Sequence, residues 1–250
     1  VADDIETLAQ GLGFAAGEVD PLPTGSTVLG DAALVMCRRA LVEPGVLFDT
    51  RGGAVVLEAG VEVRHGARLE GPLYVGERSR ILGGHSRVSV FGPRSNVNGE
   101  VSNTIFLGYA NKAHDGFVGH SVLGHWVNLG AGTTTSNLKN TYGEISLEVD
   151  GQRIVTGRQF LGSLIGDHAK TAIGALLSTG TVVGAGANVF GVVQPPKYVR
   201  PLAWGSEGDT RVTEDGFLKV AERVMPRRDV AFTPARRASL TATYRRLVAT

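Results

Sequence analysis

The feature that most constrains this chain is an aliphatic residue recurring every six positions. The first run consists of Leu57, Val63, Leu69, Val75 and Ile81. The second run consists of Ile165, Thr171, Leu177, Val183 and Val189, in which Thr171 is the one poor fit. The residues two positions before each member of the second run are all small, namely Ser163, Ala169, Ala175, Thr181 and Ala187. Two separate runs at one interval argue against the ordinary strands of a β-sandwich.

A six-residue repeat has a direct structural meaning. Six residues hold a short strand with one inward aliphatic side chain, together with a turn. Three such units close a triangular coil, and successive coils stack at the strand spacing of about 4.8 Å. Glycine supplies 35 of the 250 residues, about twice the usual ~7 %, and it tolerates the positive φ of tight turns. We therefore predict an all-β fold built as a parallel β-helix, whose handedness the repeat alone does not fix.

Other elements flank or interrupt the repeat. Residues 144–149 and 152–156 alternate around Asp150-Gly151, which predicts an inserted β-hairpin. Thr213 and Thr233-Pro234 are typical starts of two C-terminal α-helices. We predict a linker remnant of a missing N-terminal domain at residues 1–43, with a short helix ending near Leu12. The β-helix then covers residues 44–193, and an extension with two helices covers residues 194–250.

Composition excludes several classes of protein. Cys37 is the single cysteine, so no disulfide framework forms and a reducing compartment is indicated. The net charge of +1 gives no reason to expect nucleic acid as a partner. No signal peptide is visible, and the uncharged stretch 171–193 carries five glycines and the repeat, which argues against a membrane span. We predict a cytoplasmic protein that binds neither nucleic acid nor membrane.

The segment 111–137 concentrates the residues suited to chemistry. It contains Lys112-Ala113-His114, Phe117, the run from Val127 to Thr133, and Asn137. This segment resembles the acetyltransferase half of the bifunctional GlmU-like family, which joins sugar-1-phosphate nucleotidyltransferase and glucosamine-1-phosphate N-acetyltransferase activities. Similarity at the level of the coils covers about residues 44–193. The resemblance implies a left-handed β-helix, a homotrimer with sites shared between subunits, and acetyl-CoA as co-substrate.

The resemblance also implies a substrate and a pathway. It predicts an N-acetyltransferase that acts on an amino-sugar phosphate such as glucosamine-1-phosphate, in UDP-GlcNAc biosynthesis. The parent protein would carry a nucleotidyltransferase domain, which residues 1–43 are too few to form. Positions 211–250 carry nine basic and four acidic residues, and this excess of positive charge would attract the phosphates of CoA. The pairs Arg227-Arg228 and Arg236-Arg237 within it are predicted to form a solvated face.

Four residues receive roles by their match to the family motif. His114 matches the general base, which accepts a proton from the sugar amine as the amine attacks the thioester. Asn128 matches a residue that contacts the amino sugar, and Asn137 matches one near the acetyl carbonyl. The backbone N–H of Ala131 matches an oxyanion donor. An amine attacking a thioester requires a base and such donors, but no nucleophilic serine or cysteine.

The chain departs from the family at the sugar phosphate. Phe117 replaces a tyrosine, so a hydroxyl is lost, and residues 101–104 contain no lysine where the family has one. The substitutes for these phosphate contacts are left open among Arg80, Arg87, Arg94, Lys112 and Lys139.

Two other functions remain open on the sequence. The coil could act only as a trimerising structural domain of a sugar nucleotidyltransferase. His85, His120 and His125 follow one another at intervals of 35 and 5 residues, similar to the zinc-binding histidines of gamma-type carbonic anhydrases. Because five-residue intervals also arise from the repeat itself, we expect no metal at these histidines.

Overall fold

The computed structural model describes Thr7 and residues 20–206 and 210–249. The predicted helix ending near Leu12 lies outside these described residues, except for Thr7. The strands are β1 (Thr27–Leu29), β2 (Val35–Cys37), β3 (Leu41–Val42), β4 (Leu47–Asp49), β5 (Val55–Leu57), β6 (Glu62–Val63), β7 (Arg68–Val75), β8 (Arg80–Ile81), β9 (His85–Phe91), β10 (Asn96–Val97), β11 (Glu100–Ser102), β12 (Ile105–Phe106), β13 (Asn111–Lys112), β14 (Phe117–Gly119), β15 (Val122–Leu123), β16 (Thr134–Thr135), β17 (Ile145–Val149), β18 (Gln152–Arg158), β19 (Leu164–Ile165), β20 (Lys170–Thr171), β21 (Leu176–Leu177), β22 (Val182–Val183), β23 (Asn188–Val189) and β24 (Tyr198–Val199).

These strands form a parallel β-helix of about ten turns, as the repeat predicts. Apart from β17 and β18, the strands pair in parallel with strands of the neighbouring coils, for example β8 with β6 and β10. Both runs of repeating residues point inward, and each of those side chains is at most 6 % exposed. The domain boundaries at 44 and 193 remain a prediction. The paired strands of the coil extend beyond both, because β1 pairs with β4 and β24 pairs with β22.

Thr171, the poor fit in the repeat, has a structural explanation. Its side chain is buried, and its Oγ1 lies 2.8 Å from Oγ1 of Thr133. The same oxygen accepts a hydrogen bond of 3.0 Å from the Gly130 backbone N–H. A threonine at an inward position is therefore stabilised by polar partners inside the coil.

The predicted hairpin and both predicted C-terminal helices are present. Strands β17 and β18 pair antiparallel around Asp150 and Gly151, both with positive φ. Helix α1 (Glu214–Val224) begins after Thr213, whose side chain accepts from the Gly216 N–H, and a short 3₁₀-helix (Met225–Arg228) follows it. Helix α2 (Pro234–Ala249) ends the described chain. A further 3₁₀ turn covers Ala32–Leu34. Among the described helices, none is long and apolar enough to cross a membrane.

Candidate functional site

The turn that carries His114 lies directly beside the turn of the next coil. Asn111 bridges to Asn128, and the Gly132 N–H donates to the Asp115 carbonyl at 3.0 Å. This register of 17 residues places His114 next to Ala131 at one corner of the β-helix. The His114 side chain is exposed, and neither its ring nor the Ala131 N–H is hydrogen-bonded within the described chain. Both groups are therefore open to a ligand.

The corner continues into the following coil. The Gly174 N–H donates to the Ala131 carbonyl at 2.8 Å, so the turn of residues 172–174 stacks on that of Ala131. Ile173 lies at this corner and is 82 % exposed. The corner therefore places an exposed apolar side chain beside two open polar groups.

A groove of about 760 Å³ lies on the face of the coil that follows this corner along the chain. Phe117 lines it, together with residues 134–141, 176–179 and Gln194. Gly119 makes room for the packing here, because a Cβ at this position would collide with the Phe117 ring and the Asn137 amide. The fold therefore brings the predicted residues Phe117, Asn137 and Lys139 to one groove.

Asn137 also has an unexpected partner outside the groove. Its Nδ2 lies 2.9 Å from Nδ1 of His120, whose ring stacks on Phe160 at 5.2 Å. Burial, and then the charge of Arg87, lower the pKa of His120. Because the amide N–H donates, Nδ1 accepts and the neutral ring carries its proton on Nε2. His120 thus orients Asn137, a role that the sequence reasoning did not assign.

His114 and Asn137 are placed on different sides of strand β14. His114 precedes strand β14 and His120, the partner of Asn137, follows it, so the two predicted catalytic groups lie at opposite ends of this strand.

Lys112 occupies an inward position instead of an open one. It stacks on Val97 in the column that also contains Ile81 and Val63, and only 2 % of it is exposed. Its Nζ donates to the carbonyl of Asn98 at 3.0 Å and also to the carbonyl of His114. Burial lowers the pKa of Lys112 to about 8. These hydrogen bonds fix the position of the turn that carries His114, and the Lys112 ammonium does not face the groove.

Lys139 and Asn128 are also held by neighbours. Lys139 Nζ donates to the carbonyl of Glu144, at the base of the hairpin. Asn128 lies on a different face, where its Oδ1 accepts from Asn111 Nδ2 at 2.9 Å. Asn96 in turn donates to Asn111 Oδ1 at 3.2 Å. This ladder of asparagines was missed, although each precedes an inward residue of the repeat and could have been found from that register.

The three histidines of the zinc alternative have separate neighbours. His85 Nε2 lies 3.0 Å from Glu70 Oε2, His120 contacts Asn137, and His125 Nδ1 lies 3.7 Å from Asp167 Oδ1. Across residues 20–206 and 210–249, no group of three His, Cys, Asp or Glu side chains could hold a metal ion.

Fold and site together define a hexapeptide-type β-helix protein with an open histidine turn and an adjoining groove. No family model matches the chain. It is 36 % identical over 91 residues to a bifunctional sugar-1-phosphate nucleotidylyltransferase/acetyltransferase of Sulfurisphaera tokodaii, covering 36 % of this chain and 23 % of the relative. It is 33 % identical over 86 residues to the bifunctional protein GlmU of Methanococcus vannielii, covering 34 % and 20 %. The resemblance stated from the motifs is thus confirmed.

The extent of these similarities is limited. The chain spans about a fifth of the length of these curated relatives. Among solved structures, a UDP-N-acetylglucosamine acyltransferase is 13 % identical, with a TM-score of 0.21, and the match covers 70 % of this chain and 67 % of that one. That score is too low to support an argument about function.

Proposed function

We propose that the chain is an acetyl-CoA-dependent N-acetyltransferase acting on an amino-sugar phosphate such as glucosamine-1-phosphate. The observation that carries this proposal is the pair of open groups at one corner, the exposed His114 ring and the Ala131 N–H. They adjoin a groove lined by Phe117 and Asn137. The name of the Sulfurisphaera tokodaii relative, which combines nucleotidyl transfer and acetyl transfer, supports the same reaction.

The proposed chemistry uses these groups in sequence. The sugar amine attacks the thioester carbonyl, a C–N bond forms, and the carbonyl oxygen becomes an oxyanion that the Ala131 N–H stabilises. The His114 imidazole accepts the proton that the attacking amine loses. The C–S bond then breaks, and the CoA thiolate takes up a proton from the imidazolium. The products are the N-acetylated sugar phosphate and CoA.

We further propose a homotrimer with shared sites. His114 and Asn137 lie toward opposite ends of β14, and in the proposed trimer a site that uses both draws one of them from a neighbouring subunit. The exposed apolar residues Ile173 and Leu176, on the same corner and face, fit burial against such a neighbour. The product would serve a nucleotidyltransferase domain of the parent protein in UDP-GlcNAc formation, in the cytoplasm.

The decisive experiment measures thiol release from acetyl-CoA with glucosamine-1-phosphate and a panel of other amino sugars. We expect His114→Ala to lower kcat by about 10²–10⁴-fold, the usual contribution of general base catalysis. His125→Ala is the control, because this histidine is partly exposed but lies on another corner. Acetyl-CoA binding should persist in both variants.

Two results would contradict the proposal. One is near-normal turnover by a folded His114→Ala protein, and the other is no thiol release with any amino sugar. A trimer without activity would leave the structural-domain alternative. Stoichiometric zinc, together with CO₂ hydration that His120→Ala abolishes, would favour the anhydrase.

A further inference from the structure

A second cleft lies on the opposite side of the coil from the hairpin, under the C-terminal segment. It has a volume of about 380 Å³ and lies between the asparagine ladder and the end of helix α1 with its 3₁₀ continuation. Its lining includes Asn128, Trp126, Arg223, Arg227 and Arg228. A smaller cavity of about 180 Å³ shares Asn96, Arg227 and Arg228 with it, so the two are direct neighbours. Volumes of this size suit small ligands.

Arg228 is the unusual residue of the cleft, because it is half-buried without a carboxylate partner among the described residues. Its Nη2 donates to Asn111 Oδ1 at 3.2 Å, and its Nε is buried without a hydrogen-bond partner. Burial, and then the charges of Arg227 and Arg80, lower the pKa of Arg228. A cation placed between other cations and away from water is unfavourable unless an anion joins it.

The carboxylates that line the cleft are already engaged. Glu62 Oε2 lies 3.2 Å from Arg80 Nε, and Asp229 Oδ2 lies 3.0 Å from Arg94 Nη1. Neither Arg223 nor Arg227 forms an ion pair within the described chain. The cleft therefore holds an excess of guanidinium groups with unused hydrogen-bond donors.

The remaining walls indicate what the anion carries. Trp126 and Tyr109 stack with ring centroids 4.3 Å apart and line one side. The Asn128 Nδ2 donors and the Asn96 Oδ1 acceptor are not used within the ladder. Amides and a ring face suit a hydroxyl-bearing or cyclic body, while guanidinium forks match the geometry of phosphoryl oxygens.

We propose that this cleft binds the phosphoryl group of a small-molecule ligand through Arg227 and Arg228. The site itself follows from the unpaired arginines, and only the choice of ligand rests on the proposed function. That function offers two sources of the same chemistry, the phosphate of the sugar and the phosphates of CoA. The cleft would replace the phosphate contacts that Phe117 and residues 101–104 lack.

Trp126 makes the binding measurable without any acetyl transfer. The chain has two tryptophans, so a Trp204→Phe background leaves Trp126 as the sole reporter. The probes are inorganic phosphate, glucosamine-1-phosphate, CoA and, as the phosphate-free control, glucosamine. We expect saturable fluorescence changes with phosphate-bearing probes only. Whichever of glucosamine-1-phosphate and CoA binds with the higher affinity is identified as the source of the phosphoryl group.

Three arginine variants test the placement of the site. Arg227→Gln and Arg228→Gln should each weaken binding about ten-fold or more, since each removes a charge-assisted contact. Arg246→Gln removes the same charge from the same basic segment but outside the cleft, and should change binding less than two-fold. Because Arg227 is exposed, its variant keeps the test valid if Arg228→Gln unfolds.

Clear outcomes would overturn the inference. Absence of saturable binding by every phosphate-bearing probe would do so, as would an equal loss in Arg246→Gln, which would indicate diffuse attraction. Phosphate binding in a protein that transfers no acetyl group would refute the proposed function and support the cleft. Normal acetyl transfer and normal KM values in Arg227→Gln would refute the cleft and leave the proposed function standing.

Discussion

His168 shows how burial tunes a single residue. The His168 ring lies between the rings of Trp126 and Phe217, and its centroid is 6.1 Å from that of Trp126 and 5.5 Å from that of Phe217. Burial, and then the nearby charge of Lys170, lower its pKa to about 4, although Asp167 acts in the opposite direction. A histidine with a depressed folded-state pKa stabilises the fold fully above its unfolded pKa of 6.5, and that stability is lost as the pH falls toward 4.

We therefore predict a pH-dependent difference between the wild type and His168→Phe, which keeps a ring of similar size. The free energy of unfolding should fall more steeply in the wild type between pH 6.5 and 4, by up to about 3 kcal/mol. Urea unfolding at several pH values measures both slopes. Parallel slopes would show that His168 takes up its proton as readily in the folded protein as in the unfolded one.

The sequence predicted the burial of single side chains correctly at the repeat positions. It failed where burial depends on contacts between residues distant in the chain. The burial of every repeat position follows from a periodic pattern, because one inward side chain per strand is a local property. Arg228 was predicted to be solvated, which is wrong, because a segment 117 positions later in the chain packs on Asn111. The inward ammonium of Lys112 was missed for a related reason, since its carbonyl partners lie in turns that the pattern does not describe.

At the scale of elements, the hairpin is an addition to the coil and not part of its core. Strands β17 and β18 pair only with each other in the described sheets. Ile145 is fully buried against Gly180 and is the main contact of the hairpin with the coil. A second contact is the hydrogen bond that Tyr198 Oη donates to Asp150 Oδ1 at 2.7 Å. Both the hairpin and the helices were predicted, because turn and cap residues act locally.

Replacing residues 147–154 with Asn-Gly should leave the β-helix folded. Ser146 already pairs with Val155, so a two-residue turn closes the shortened hairpin. We expect a melting temperature within a few degrees of the wild type, because the fully buried Ile145 is retained and the removed residues are exposed or only partly buried, so that the main loss is the Tyr198–Asp150 hydrogen bond. Thermal unfolding followed by circular dichroism provides the measurement. A loss of more than about 10 °C would mean that the hairpin supports the coils beneath it.

At the scale of the whole molecule, the proposed trimer is directly testable. Light scattering during gel filtration should give three times the 26.2 kDa mass of the chain. Ile173→Asp should reduce that mass, because it places a charge where the proposal buries an apolar side chain. Leu41→Asp is the control, since Leu41 is 66 % exposed on another face. A trimer unaffected by Ile173→Asp would place the interface elsewhere.

The return of the C-terminal segment onto the middle of the coil bears on how the molecule unfolds. A stack of coils that touch only their neighbours can lose its ends one coil at a time. Here Arg94 pairs with Asp229, 135 positions away, and Arg228 reaches Asn111. The last coils cannot detach while these contacts between the C-terminal segment and the middle of the coil persist. We therefore expect hydrogen exchange to show the coils between Arg94 and Trp204 opening together, as one cooperative block.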